Sequence, residues 1–282
     1  MNWHDRYVQQ AGWTRELRSY LFEKVGLSSA RRVLEVGCGT GAILHDILPF
    51  PRSATSSRST PEGVGVFPTL EGPDIAIQSQ ALFNTSGRDS WLYGLDLAPA
   101  ELRECHQLIP SALLARGDAH KLPYRNEAFE ITYCHFVLLW VRNPIQTLRE
   151  MKRVTKRSGH VLALAEPDYS ARVDMPAELA SLGALQSAAL QRQGATVDLG
   201  AHLTDLFHQA GIQVIEAGAL QPYEAHAYTA ADQRNEWRVL EADLAGNVPT
   251  AEIEKMKRLD AQARQRGDRI LYVPTYFAWG QV

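Results

Sequence analysis

Residues 33–43 read VLEVGCGTGAI, from Val33 to Ile43. The run Val33 to Val36 is short, apolar and partly β-branched, the pattern of a strand buried on both faces. Gly37, Gly39 and Gly41 follow at alternate positions. They remove side chains where the chain must turn sharply and let a ligand approach the backbone. Ala42 to Leu48, AILHDIL, then reads as a helix stopped by Pro49. The free N–H groups of its first turn lie beside the glycine turn. Strand, glycine turn and helix together predict a nucleotide-type site. Two patterns fit the loop equally. Gly37, Gly39 and Ala42 satisfy the dinucleotide pattern G-x-G-x-x-G/A, whereas Glu35, Gly37, Gly39 and Gly41 satisfy E-x-G-x-G-x-G.

Outward from this segment, Trp91 to Leu97, Leu113 to Ala115, Phe129 to Cys134, His160 to Glu166 and Ile212 to Gly218 read as strands. Ile270 to Trp279, ILYVPTYFAW, reads as a final one. Helices are predicted between them. Pro99 suits the first turn of one over Ala100 to Leu108. Asn143-Pro144 opens another, with Ile145, Leu148, Met151 and Val154 on one face and Ser158-Gly159 as its end. Further helices are expected from about Pro176, over Leu199 to Ala210 with Gly211 behind it, and over most of Thr229 to Arg266 with a break at Gly246 to Pro249. Trp3 to Phe22 reads as one or two helices breaking at Gly12. Strands alternating with helices predict an α/β fold with a parallel sheet covered on both faces.

The chain of 282 residues carries 29 Lys+Arg against 32 Asp+Glu, a formal net charge of −3, and 45% hydrophobic residues. That length and apolar content suit one domain, 1–282, and exclude wholesale disorder. The balanced charge argues against nucleic acid as a partner. The basic cluster Lys152, Arg153, Lys156, Arg157 reads as a solvated helix end. Cys38, Cys105 and Cys134 share no metal-ligand spacing, so no metal site is expected, and their sparseness suits a reducing compartment. The polar N-terminus is no secretory signal, and no apolar run approaches the roughly 20 residues of a membrane span. The expectation is a soluble, cytoplasmic protein. Residues 51–90 are rich in Ser, Thr, Pro and Gly and read as an insertion, with 51–63 expected to be mobile and Gly72 to Asn84 to form a short helix.

Further motifs separate the two loop patterns. GLDLAP places Asp96 at the end of the second strand. GDAHKLPYRNEAFE runs from Gly117 to Glu130, and LREMKRVTKRSGHVLALAEPDY from Leu148 to Tyr169. With VLEVGCGTG these segments stand in an order that resembles the class I S-adenosylmethionine-dependent methyltransferases of the type 11 group, over about Arg31 to Ala219. Glu130 stands where that group more often has Asp, and His160 replaces a glycine before the fifth strand. The resemblance implies a Rossmann-like sheet of seven strands, mostly parallel with the last antiparallel, and helices on both faces.

It also implies the cofactor S-adenosyl-L-methionine. Asp96, followed by Leu97, would accept from both ribose hydroxyls, since a carboxylate has two acceptor oxygens for a diol. Asp118 would accept from the adenine amino group, and Ala119 would offer a backbone N–H to the ring. Glu35 would orient the loop of Gly37, Gly39 and Gly41 and meet the cofactor's ammonium group. Cys134 and His135 would sit at the methyl-transfer end.

The implied reaction is in-line displacement by a small-molecule acceptor, in which positioning can supply much of the catalysis. A base is needed only where the nucleophile must lose a proton. His135 and Asp168 are the candidates, with His120 and His4 behind them; Glu166 and Tyr169 flank Asp168. Asp168 in EPDY also suits a plain strand-end turn. Residues 1–29, with Trp3, Arg6, Tyr7, Gln10 and Trp13, would form a helical lid whose aromatic faces attract a sulfonium. Residues 221–269 would cap the acceptor pocket. Two other functions share the loop: a cofactor-binding protein without methyl transfer, and a nicotinamide-dependent oxidoreductase.

Overall fold

The structure is a computed structural model in which residues 3–48, 91–220 and 229–282 are described. The insertion at 51–90 and the segment 221–228 lie outside the described residues. The first strand, β1 (Val33–Val36), is buried at every position. It lies between β2 (Leu92–Asp96) and β4 (Phe129–Cys134), paired in parallel with both. β3 (Leu113–Arg116) extends the sheet beyond β2, and β5 (Thr155–Pro167) lies beyond β4. Two further strands complete it: β9 (Thr275–Gln281) runs antiparallel to both its neighbours, β5 and β7 (Gln213–Ala219), and β7 forms the edge. The order is β3-β2-β1-β4-β5-β9-β7, the expected seven-stranded, mostly parallel sheet with its last strand antiparallel.

Both faces are covered because the central strands are apolar on both sides. In β5, Val161 and Ala163 join one core cluster, and Leu162 and Leu164 the other. The first cluster is closed by α5 (Pro144–Val154), through Leu148, Met151 and Val154, and by α7 (Leu203–Gln209), through Leu203 and Phe207. The second is closed by α2 (Arg15–Lys24), α3 (Ala42–Ile47) and α4 (Pro99–Leu108). α5 starts as its sequence predicts: Asn143 Oδ1 accepts from Gln146 N at 3.0 Å, with Pro144 in the first turn. A third cluster joins α6 (Ala180–Arg192) to α8 (Ala230–Leu244) and α9 (Thr250–Arg266), through Leu182, Trp237, Leu240 and Met256. Among the described residues no helix is long and apolar enough to cross a membrane.

Three boundaries differ from expectation. The N-terminal break falls at Thr14, not Gly12, which lies inside α1 (Trp3–Trp13) with open space around it. The bend forms where the Thr14 hydroxyl and the Arg18 guanidinium both turn back onto the Ala11 carbonyl. α5 ends at Val154, four residues before Ser158. Thr155 is already extended, its hydroxyl bonded to Met151 O at 2.7 Å and to Thr132 Oγ1 at 2.8 Å. Ser158 and Gly159 instead lie within β5, where the pairing with β4 shifts register, with Ser158 at φ +63°.

The final strand is split. β8 (Ile270–Tyr272) leaves the main sheet and pairs antiparallel with β6 (Val173–Met175). Pro274, which cannot donate to a ladder, stands at the break, and its carbonyl accepts from Asp168 N at 2.7 Å. β6 itself has no clear mark in the sequence.

Candidate functional site

The parallel register aligns Val36 with Leu95 on one side and with Cys134 on the other. Gly37, Asp96 and His135, the next residues, therefore leave the sheet together at its carboxyl edge, where open α/β sheets bind ligands. Asp96 also aligns with Arg116, which brings Gly117 and Asp118 to the same edge.

The glycine loop is tied to β2 through Gly37 N and Cys38 N, which donate to Leu95 O at 2.7 and 3.0 Å. Gly41 has φ +82°, and a Cβ there would lie 2.5 Å from Cys105 Sγ. Gly41→Ala thus combines a left-handed backbone, about 1–2 kcal/mol, with overpacking of about 1–3 kcal/mol. We expect its thermal midpoint to fall by several degrees; an unchanged melt would overturn this account of the loop.

Asp96 braces the loop from the second strand. Its Oδ2 accepts from Gly39 N at 2.8 Å and its Oδ1 from Ala98 N at 2.9 Å. Asp118 is largely exposed, and its Oδ1 accepts from His120 N at 2.9 Å and lies 2.6 Å from His120 Nδ1. The backbone N–H of His120 holds this carboxyl below the usual carboxylate range. His120 Nε2 accepts from Asn143 N at 3.1 Å, so Nδ1 carries the ring proton and donates to Asp118. His120 is thereby committed to holding the loop. Ala119 and Leu97 line the same cleft.

Glu35 is buried beneath the loop. Its Oε2 accepts from Tyr133 Oη at 3.1 Å, and among the described residues no hydrogen bond ties it to the loop N–H groups. Burial pushes its carboxyl well above the ordinary range. Cys134 lies fully buried behind the cleft, its thiol pushed up by burial, and does not line it.

His135 lines the cleft, with Nε2 3.0 Å from Thr14 Oγ1. Thr14 Oγ1 also lies 3.3 Å from Ala11 O, which can only accept. With the hydroxyl proton on that carbonyl, Nε2 donates to Thr14 and Nδ1 keeps its lone pair. Burial, with the Arg18 charge behind it, pushes the imidazole down to about 3. Its ring resonances are expected not to titrate between about pH 5 and pH 8, because both forms of an ordinary histidine would be populated there. A midpoint in that range by NMR would overturn the assignment.

Asp168 does not line the cleft. Its Oδ1 accepts from Ser170 N at 2.9 Å, Ser170 Oγ at 2.5 Å and Ala171 N at 3.2 Å, as a strand-end turn residue does. His4 is bonded to Thr40 Oγ1 at 2.8 Å.

The sequence marks Glu166 only as a neighbour of Asp168. Fully buried on β5, it accepts from Val137 N, Leu138 N and Leu139 N at 3.0, 2.9 and 3.2 Å. It thereby fixes the segment after β4, whose Val137 and Leu139 line the cleft. The available signal was an acid inside the apolar run HVLALAE, which needs donors wherever it is buried.

The cleft encloses about 600 Å³, within the size range of small-molecule sites. α1 closes one side with Trp3, Arg6, Tyr7 and Gln10. Tyr7 packs on Gly39, at 3.2 Å from where a Cβ would stand, and stacks with Trp3. Gln9 on α1 donates to Asp232 Oδ1 of α8 at 2.9 Å. The far wall comes from Tyr169, from Gln186 and Leu190 of α6, from Gln193, and from Val239 and Asp243 of α8. Trp13 lies outside the cleft, under the Arg6 guanidinium at 4.8 Å. Among the described residues no cluster of His, Cys, Asp or Glu could hold a metal ion.

The model of a family described as a methyltransferase domain matches residues 76–163. Its match begins beyond the glycine loop, and the sheet supplies the loop's place beside β2. The chain is 25% identical over 256 residues to a malonyl-[acyl-carrier protein] O-methyltransferase of Halorhodospira halophila, covering 86% of this chain and 68% of that one. It is 28% identical over 131 residues to a demethylmenaquinone methyltransferase of Bacillus mycoides, covering 43% of this chain and 55% of the relative. The fold is similar to that of phosphoethanolamine N-methyltransferase 2 of Haemonchus contortus in complex with S-adenosyl-L-methionine. There the TM-score is 0.51 at 12% identity, over 90% of this chain and 49% of the other. Sheet order, the acid at the end of β2 and these likenesses agree: residues 76–163 match a methyltransferase domain, and the fold is that of the class I S-adenosylmethionine-dependent methyltransferases.

Proposed function

We propose that this protein transfers a methyl group from S-adenosylmethionine to a small-molecule acceptor by in-line displacement in the cleft. The observation that carries this is the meeting of Asp96, Asp118 and the glycine loop at one mouth of a cleft whose far wall belongs to other elements. The residues fit the cofactor. Asp96 offers a carboxylate at the loop for a ribose diol, Asp118 an exposed acceptor with Ala119 beside it for adenine, and the glycines leave room against the backbone.

Bound S-adenosylmethionine supplies an electrophilic methyl on a sulfonium, which is already an activated leaving group. The chain's residues bind, align and exclude water. α1 acts as a lid, held to the glycine loop by His4 and Tyr7 and to α8 by Gln9. Residues 229–269 act as the acceptor wall. His135 presents a neutral ring, and its Nδ1 can accept a hydrogen bond from an acceptor O–H or N–H. Glu166 holds the segment beside it, a positioning role. Asp168 contributes through the turn it stabilises.

Calorimetric titration with S-adenosylmethionine and with NAD tests the cofactor. Tight binding of the first and none of the second is expected, and the reverse would favour an oxidoreductase. Single-turnover transfer of a labelled methyl group across a panel of small molecules tests the chemistry. Cofactor binding without transfer to any member would favour a non-transferring cofactor-binding protein.

A further inference from the structure

The wall opposite the glycine loop carries a carboxylate with no counter-ion among the described residues. Asp243, on α8, accepts from Gln186 Nε2 at 3.0 Å on Oδ2 and from Gln193 Nε2 at 3.0 Å on Oδ1. Both partners are neutral amides, and no cationic side chain among the described residues pairs with Asp243. Gln186 is only 4% exposed, and its orientation is set from behind. Arg172 Nη1 donates to Gln186 Oε1, which turns the amide nitrogen to Asp243. Arg172 is held by Asp174 at 2.7 and 3.0 Å, and Asp174 by Arg269 at 2.7 Å.

A chain of buried groups therefore preorganises this carboxylate. An ionised carboxylate has about four lone-pair sites, and two are filled. Two cations line the cleft: Arg6 donates to Gln9 Oε1 at 2.8 Å and lies over the Trp13 ring, and the Arg142 charge acts on Asp118. A half-desolvated anion with open lone pairs is stabilised by a ligand cation and repels a ligand anion.

We propose that Asp243 is a specificity-determining residue of the acceptor pocket, and that the methyl acceptor carries an ammonium or amine group that docks on it. This rests on the methyl-transfer reading above. Gln186 and Gln193 are positioning residues that aim the carboxylate.

The test uses the full chain loaded with S-adenosylhomocysteine. It is titrated with matched trios that share a carbon skeleton: phenethylamine, 2-phenylethanol and phenylacetate, and butylamine, butanol and butyrate. The ammonium member of at least one trio is expected to bind ten times or more tightly than its carboxylate member. In Asp243→Asn that ratio should fall to about threefold or less. A preference for the carboxylate or the alcohol, no binding of either ammonium compound, or an unchanged ratio in a folded Asp243→Asn would overturn the proposal. Should that variant not fold, the ammonium-to-carboxylate ratio of the unmodified protein decides alone. Failure of S-adenosylhomocysteine itself to bind overturns the cofactor reading instead, so the two failures are distinguishable.

Discussion

Replacing Asp96 with alanine is expected to weaken S-adenosylmethionine binding by about a hundredfold or more. A carboxylate accepting two ribose hydroxyls makes charge-assisted hydrogen bonds worth about 1.5–3 kcal/mol each. The loss is enlarged because the same side chain braces the loop through Gly39 N and the next helix through Ala98 N. Both N–H groups lose their acceptor in the variant. Asp96→Asn keeps one carbonyl oxygen and should fall between the two. Isothermal titration measures all three proteins, and a melting curve of each separates lost contacts from lost folding. Affinity unchanged in a folded Asp96→Ala would sink the ribose assignment and, with it, the placing of the cofactor at this edge.

The second large effect is expected at Glu166. Glu166→Ala leaves three buried N–H groups without their acceptor, each costing about 1–3 kcal/mol where no water replaces it. At about 2–4 °C per kcal/mol for a chain of this size class, a cost near 3 kcal/mol lowers the melting midpoint by about 6–12 °C. A pH signature distinguishes this mechanism from a simple cavity. Burial pushes the Glu166 carboxyl up to about 7, against the three N–H bonds that favour the ion. Between its ordinary value of 4.5 and about 7, the folded state holds a proton that the unfolded state has released. Stability from this group therefore falls as pH rises through that window, by about 3 kcal/mol in all. His135 acts in the opposite sense. Its ring stays neutral down to about 3, so stability from this residue rises with pH up to about 6.5. Glu166→Gln removes only the first contribution. The difference in stability between the unmodified protein and Glu166→Gln should vary with pH from about 4.5 to 7 and level off above. A flat difference, or a melt of Glu166→Ala equal to the unmodified protein's, would refute the role.

Much of the cofactor side was legible because it is local. The glycine positions, the Pro99 and Asn143-Pro144 helix starts and the apolar strands depend on near neighbours in the chain, and turn and capping chemistry acts over a few residues. Asp96 and Asp118 were marked by the resemblance of the motifs around them, and each ends a strand or opens the turn behind it. Where expectation and structure part, a distant contact is responsible. Thr14 rather than Gly12 ends α1 because Arg18 and His135 meet its hydroxyl. The final strand divides at Pro274 because β6, about a hundred residues earlier, offers a partner for β8.

The acceptor side was illegible for the same reason in stronger form. Gln186, Gln193, Tyr169 and Asp243 come from different elements, and none sits in a recognisable spacing. Their chemistry arises only when α6 and α8 pack through Leu182, Trp237 and Leu240. Glu166 likewise looks like any acid in a strand until three N–H groups from beyond β4 converge on it. The sequence by itself determined the α/β architecture and the glycine loop, because strand pattern and turn geometry are short-range, while the two carboxylates were marked by the resemblance of the ordered motifs that carry them. Only the tertiary structure decided that Asp168 serves a turn, that His135 is held neutral beside Thr14, and that Asp243 lines the cleft with no cationic partner among the described residues. Burial and partner choice depend on residues that the chain brings together only by folding.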